Sequence, residues 1–330
     1  MYLPPELVRE IFKCVFDLDN LDSSETTPTE ELGVPRKQKW CLIQPLTLTC
    51  KAYRALSLEF WFHTFFLQLP ADIPLAHIMF PDLKKKWTRY IHCVQTDSKY
   101  TSIWNLQGFG CLSTIRLDWL SPRMMPHHGS DDPADRLPFT NVPSSVNELD
   151  IRGLPWPSPL VFHNIGGILP ELKVLKMRQP KIWCGLCHTC SVVRFRSPGP
   201  KIIVYEGGLG LPMHYARVFR TLQHLHTVYI TIADFGSGST IVSAEADKNQ
   251  HFWTGECDRC MYVMYEDAGF RDRWVARKRG IILEGHEKET VYIRPAALKR
   301  VEWRFWAARD EEEVDFLESA DENSEAEDVV

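Results

Sequence analysis

Apolar positions recur with two different periods along this chain. From Leu3 to Phe16, Leu7, Ile11 and Val15 lie four residues apart, with Val8 and Phe12 on the adjoining rows. That spacing predicts a helix whose apolar face is wide enough to need partners on more than one side. Pro4 and Pro5 suit its opening turn, where a missing amide proton costs nothing, and Glu6 complements the positive end of its dipole. A second helix is predicted from Pro45 to Trp61, with Leu46, Cys50, Tyr53, Leu56 or Ser57, and Phe60 on one stripe. Residues 19–40 between them are polar and rich in turn formers, which reads as a loop insertion. Phe62 to Leu69 reads as a short strand or the end of the helix, and a further helix is expected within residues 70–92, placed over Phe80 to Cys93.

Beyond this point the period changes. A pattern of apolar-x-x-apolar-x-apolar appears at Leu112, Ile115, Leu117; Val146, Leu149, Ile151; Leu172, Leu175, Met177; Leu225, Val228, Ile230; and Leu298, Val301, Trp303. Cys190, Val193 and Phe195 fit it loosely. The starts are 34, 26, 53 and 73 residues apart. Alternate residues of a short strand facing inward, with successive strands stacked in parallel, would produce this pattern, as in a leucine-rich repeat. Five unrelated half-buried strands would also produce it. The turn chemistry of Pro122 to Pro143, Gly153 to Pro159 and Gly236 to Gly238 favours the repeat. The fold class expected is therefore α/β: a small helical domain over 1–69, then an irregular leucine-rich-repeat-like solenoid with a curved parallel sheet over 70–308.

Charge separates off the end of the chain. The net charge is −5, yet residues 310–330 hold eleven Asp or Glu and no Lys or Arg, leaving 32 acidic against 38 basic residues over 1–309. Residues 309–330 read as an acidic disordered tail. Ser319 and Ser324, each followed by acids, are candidate phosphorylation sites there. The basic surplus of the remainder is too small and too spread to indicate nucleic-acid binding. The longest apolar run, Phe60 to Leu69, is too short to span a membrane, and the N-terminus does not read as a secretory signal. A cytoplasmic or nuclear location is expected, with the cysteines as thiols or metal ligands.

Cysteine spacing carries the most specific chemistry. Cys184-Gly-Leu-Cys187-His-Thr-Cys190 is followed some seventy residues later by Cys257-Asp-Arg-Cys260. Two residues between cysteines let both thiolates face one ion while turn amides donate to the sulfurs, and two such knuckles make a tetrahedral zinc site. Cys184, Cys187, Cys257 and Cys260 are the predicted ligands of a structural zinc, with Cys190 or His188 as substitutes. Reduced, partly buried thiols are the alternative.

Other signals point away from catalysis. Ile202 to Glu206, the run Gly207-Gly208-Leu209-Gly210 and the helical pattern of Met213 to Leu222 outline a strand, glycine loop and helix. Met213 stands where a dinucleotide fingerprint needs its third glycine, so a tight turn is expected. No Gly-x-Ser-x-Gly, His-Glu-x-x-His or phosphate loop occurs. His127 and His128 have no obvious partner, and Trp156 and Trp306 are candidates only for a recognition surface. Arg277-Lys278-Arg279 suits the end of a helix over Met261 to Arg279. The protein is not expected to be an enzyme.

The two N-terminal helices together resemble an F-box. The resemblance rests on Leu3, Pro4, Leu7, Ile11 and Phe12 in the first, and on Cys50, Lys51, Tyr53, Arg54, Leu56, Phe60 and Trp61 in the second. It covers residues 2–67, with the insertion lengthening the usual spacing. The family implies a substrate-recognition subunit of an SCF-type E3 ubiquitin ligase. Leu3, Pro4, Leu7, Ile11, Phe12, Cys50, Tyr53, Leu56 and Trp61 would then be adaptor-binding, the Skp adaptor and a cullin scaffold the partners, and the repeat domain the substrate reader. A scaffold that binds the adaptor or another helical partner without directing ubiquitylation is the alternative.

Overall fold

The computed structural model describes residues 4–16, 32–35, 40–96, 103–120, 137–154, 158–187, 190–191, 202–232, 255–279, 281 and 295–305. Leu3, most of the 19–40 insertion, His127, His128, Trp156, His188, Val193, Phe195, Gly236 to Gly238, Trp306 and the 309–330 tail with Ser319 and Ser324 lie outside them. The fold is mixed α/β, built on a large, mostly parallel sheet with helices. The chain divides into two compact units, residues 1–153 with 164–175, and residues 154–163 with 176–330.

Among the described residues, the first unit opens with α1 (Pro5–Phe16), α2 (Trp40–Thr49) and α3 (Lys51–His63). The single helix expected from Pro45 to Trp61 is instead two. Cys50 adopts an extended conformation (φ −156°, ψ 167°) and its Sγ accepts the Tyr53 amide proton at 3.4 Å, so it ends α2 and caps α3. The wide apolar face of α1 is divided between two surroundings. Val8, Phe12 and Phe16 pack with Ile43 and Phe60 in a small core that Leu46, Tyr53, Leu56 and Trp61 partly cover. Leu7, Ile11 and Val15 remain exposed at 52%, 48% and 43%.

α3 leads directly into β1 (Thr64–Leu67), where the parallel ladder begins. In the first unit β1 pairs with β2 (Tyr90–Gln95), β2 with β4 (Thr114–Trp119), and β4 with β6 (Glu148–Arg152), all in parallel. Registers align Phe65, Ile91, Ile115 and Leu149 in one row, and Leu67, Cys93, Leu117 and Ile151 in the next. All eight are buried. Between strands lie α4 (Asp72–Met79), a π-helical turn (Leu83–Trp87), and a two-stranded parallel ribbon of β3 (Trp104–Asn105) and β5 (Phe139–Thr140). The helix expected within residues 70–92 is α4, and its placement over Phe80 to Cys93 is corrected: that stretch holds the π-helical turn and then β2. Ile91 and Cys93 alternate like the other strands, while the buried Thr88 takes the place of the leading leucine. The next described elements are a 3₁₀ turn (Pro159–Phe162), α5 (Ile165–Ile168) and β7 (Val174–Gln179).

The entry to each strand is fixed by one recurring device. The carbonyl of the residue after the first apolar position accepts two successive amides from the next strand's entry. Arg89 O accepts Ser113 N (2.8 Å) and Thr114 N (3.1 Å). Ser113 O accepts Asn147 N and Glu148 N, Asn147 O accepts Lys173 N and Val174 N, and His226 O accepts Lys299 N and Arg300 N. A one-residue slip would turn every inward side chain outward, so these bonds and the apolar rows select the same register.

In the second unit β11 (Thr227–Ile232) pairs in parallel with β12 (Arg300–Phe305), and β12 pairs antiparallel with β10 (Ile202–Glu206). Val228 aligns with Val301 and Ile230 with Trp303. Thus each of the five apolar triplets has its residues buried and its last two on a strand. The loose copy at Cys190 differs: Cys190 lies in β9 (Cys190–Ser191), antiparallel to β8 (Ile182–Trp183) in a separate ribbon. The glycine loop is a tight turn between β10 and α6 (Met213–Phe219). Gly207 and Gly208 have φ of 66° and 79°, and a Cβ on Gly210 would enter the Tyr205 ring. The Gly210 carbonyl accepts Trp303 Nε1–H at 2.8 Å, which commits the loop to packing.

The first unit's sheet carries buried charge on the face opposite its apolar rows. Arg116 donates through Nε and a terminal nitrogen to both oxygens of Asp118 (2.7 and 2.8 Å), and His92 Nε2 lies 2.8 Å from Asp118. Gly33 N–H, from the interhelical insertion, donates to the same carboxylate at 2.7 Å. Arg152 pairs with Asp150 at 2.7 Å on the next strand. A carboxylate only accepts, so His92 must present its Nε2 proton to it. Burial raises the Asp118 pKa, but the bonds from His92 and Arg116 outweigh it and hold the group well below the usual carboxylate range. Burial, together with the charges of Arg116 and Arg152, lowers the His92 pKa more than Asp118 raises it. Both depressed values stabilise the fold above the unfolded-state pKa and lose that contribution as pH falls. Melting temperature is therefore expected to drop on acidification, beginning below about pH 6.5 through His92 and continuing below about pH 3.9 through Asp118. His92→Gln should flatten the first limb, and Asp118→Ala, by removing the carboxylate that Arg116 and His92 share, should cost about 3–5 kcal/mol in urea unfolding at neutral pH.

Candidate metal centre

All four predicted cysteine ligands meet in the second unit. The Sγ atoms of Cys184, Cys187, Cys257 and Cys260 lie within 4.8 Å of one another. Cys184 and Cys187 bracket the turn that follows β8. Cys257 is the N-cap of α7 (Asp258–Glu266), and Cys260 sits in its first turn. Gly185 is required by close approach: a Cβ there would stand 2.9 Å from the Met213 amide nitrogen at the start of α6. The knuckle amides behave as the spacing predicts, Leu186 N–H and Cys257 N–H each donating to Cys184 Sγ at 3.4 Å. Cys187 and Cys257 sulfurs are 3.7 Å apart. A tetrahedron with metal–sulfur bonds of about 2.3 Å has edges of about 3.8 Å, so the donors fit one divalent ion. Of the two substitutes, His188 lies outside the described residues and Cys190 lies in β9.

Electrostatics among the thiols favour ionising Cys257 and oppose ionising Cys184 and Cys260. The Cys184 thiol donates to Cys257, whose pKa falls to about 5, while the same contact and burial push Cys184 far up. Burial and the neighbouring sulfurs push Cys260 up to about 12. A bound divalent cation reverses this opposition, since each further thiolate then meets positive charge. Metal uptake must therefore displace protons, and affinity must fall as pH falls.

A buried polar group behind the thiols escaped the sequence reading. Glu256, immediately before Cys257, accepts Trp274 Nε1–H at 2.7 Å and lies 3.7 Å from Lys278 Nζ, with both charged side chains fully buried. Burial lowers the Lys278 pKa to about 8, against the pull of Glu256 and Cys184. Lys278 belongs to the basic run expected to cap an exposed helix end. In the structure that helix is two: Asp267 ends α7 and caps α8 (Ala268–Lys278) through the Phe270 amide at 2.9 Å. The new phase turns Lys278 inward and leaves Arg279 outside. The signal for this was Asp267 followed by the helix-restarting run Ala268-Gly269-Phe270, which a continuous apolar period hides.

The described residues include no helix long and apolar enough to cross a membrane. Purified protein is expected to hold close to one metal ion per chain by elemental analysis. Cys184→Ser and Cys260→Ser should each cut that below about half, and lowering pH should release the ion as thiolates take up protons. Comparison with protein-family models, curated proteins and solved structures finds no match.

Proposed function

We propose that the protein is a non-catalytic, F-box-type substrate-recognition subunit of an SCF-type ubiquitin ligase, docking on a Skp adaptor through its N-terminal helices. The observation that carries this reading is the division of α1. One stripe, Val8, Phe12 and Phe16, completes a local core, so the helices do not need further burial to hold together. The neighbouring stripe, Leu7, Ile11 and Val15, stays exposed although it is as apolar as the first. A stripe of large aliphatic side chains held rigid and uncovered is the kind of surface a helical partner buries. Pro4, Cys50 and Leu48 are also exposed, Leu48 at 75%. Phe12 is engaged internally, and Tyr53, Leu56 and Trp61 are half engaged, so Leu7 and Ile11 replace Phe12 as the leading contacts.

In this reading the ladder that follows is an irregular leucine-rich-repeat-like domain that selects the substrate. The pattern runs further back than the sequence suggested, since Phe62, Phe65 and Leu67 and then Thr88, Ile91 and Cys93 occupy the same offsets as the later triplets. The metal is a structural zinc, holding the turn after β8 to the start of α7 across some seventy residues of sequence. No bond chemistry is assigned to the protein. The adaptor and a cullin are its partners.

Co-expression of the full chain with a Skp adaptor tests the proposal. A stable complex is expected by size-exclusion chromatography. Leu7→Asp with Ile11→Asp should abolish it while leaving the melting temperature within a few degrees, because neither side chain is in the core. Failure of the wild-type chain to bind the adaptor would remove the ligase reading. Adaptor binding without cullin recruitment would leave a scaffold.

A further inference from the structure

The first unit contains a cleft of about 500 Å³ between α4, the π-helical turn and the edge of β3. Pro70, Ile73, Pro74 and Ile103 give it apolar walls, and Lys84, Lys85 and His77 give it cationic or protonatable ones. None of its lining residues is Asp or Glu. Lys84 Nζ meets the Gln107 carbonyl at 3.3 Å and the Phe109 ring at 5.4 Å, and neither Lys84 nor Lys85 has a carboxylate partner among the described residues. His77 Nδ1 is buried with no hydrogen-bond partner among them.

Two further features give the cleft a direction. Trp104 N–H and Leu106 N–H bond to the β5 side at 2.8 and 3.0 Å. Strand alternation then turns the amide and carbonyl of Asn105, a lining residue, to the opposite edge of β3. An extended chain can pair with such an edge. Ile103, which lines the cleft beside this edge, is exposed at 51%.

We propose that this cleft binds an extended, acidic peptide segment carrying a large apolar side chain. Acidic groups of the peptide meet Lys84 and Lys85, its backbone meets Asn105, and its apolar side chain enters between Ile73, Pro74 and Ile103. Charge complementarity selects the peptide's sign, and the open strand edge selects a peptide over a lipid surface, which has no backbone to pair. The site stands independently of the ligase reading. If that reading holds, the peptide is the recognition segment of the substrate.

Panning a phage-displayed random peptide library on the full-length protein tests this, with enriched peptides then measured by fluorescence anisotropy. Peptides rich in Asp and Glu with an aliphatic or aromatic residue are expected. Their binding should weaken about ten-fold or more in the Lys84→Glu, Lys85→Glu double variant and in Ile103→Asp, and should not change in Arg217→Glu on the second unit. Far-UV circular dichroism confirms that each variant is folded. No enrichment, enrichment without an acidic bias, or equal binding by the cleft variants would overturn the proposal. So would sedimentation of the wild-type protein, but not the double variant, with phosphatidylserine-containing vesicles in the absence of peptide binding, which would reassign the surface to membranes. Full retention of peptide binding by the Leu7→Asp, Ile11→Asp variant separates this site from the adaptor stripe.

Discussion

The parallel ladder depends on one repeated hydrogen-bond arrangement, in which a single carbonyl takes two amides from the strand that comes next. A parallel pair cannot be closed by a tight hairpin, so its register must be set by something other than the turn. Here Arg89, Ser113, Asn147 and His226 set it with their carbonyls. The apolar triplets then fill the rows behind. Neither element would be sufficient alone. Hydrogen bonds without the apolar rows gain little over water, and apolar rows without a fixed entry can slip.

That arrangement explains why some of the fold could be read from the sequence. The triplets ending in Leu117, Ile151, Met177, Ile230 and Trp303 stand out because apolar side chains occupy every inward position. The strand at Tyr90–Gln95 does not, because Thr88 substitutes for leucine and three lysines precede it, which mimics a helix end. The break at Cys50 was equally hidden, since a cysteine sulfur capping a helix is a weak acceptor and an uncommon cap. The buried charge of Arg116, Asp118, Asp150 and Arg152 was visible as opposite charges two residues apart. Alternation assigns those positions to the far face of a strand, and charged side chains are there ordinarily read as facing solvent. Only tertiary cover, part of it from Gly33, makes that face an interior.

The metal centre was the most legible site, and for a physical reason. Two residues between cysteines fix a local geometry that does not depend on the rest of the fold, so spacing alone identifies a half-site. What spacing could not reveal was the pairing of the half-sites or the Glu256–Lys278 group behind them. A cluster of thiolates carries more negative charge than one divalent ion removes. With a metal bound, the buried Lys278 ammonium would face that excess as well as Glu256, since Cys184 already attracts it alongside the carboxylate. The cost of burying Lys278 is thus tied to the site it faces.

The position of β12 has a consequence for how the molecule can be assembled. Its two neighbours, β11 and β10, both precede it in the chain, and one runs with it while the other runs against it. During synthesis, therefore, the last described strand emerges after both of its partners and must be inserted between them as a wedge. Until it arrives, the amides that β10 and β11 pair with it have no strand to meet. Chains that stop before Arg300 would leave both strands open to pairing with other molecules, so loss of a few dozen C-terminal residues would matter more than its share of the sequence suggests.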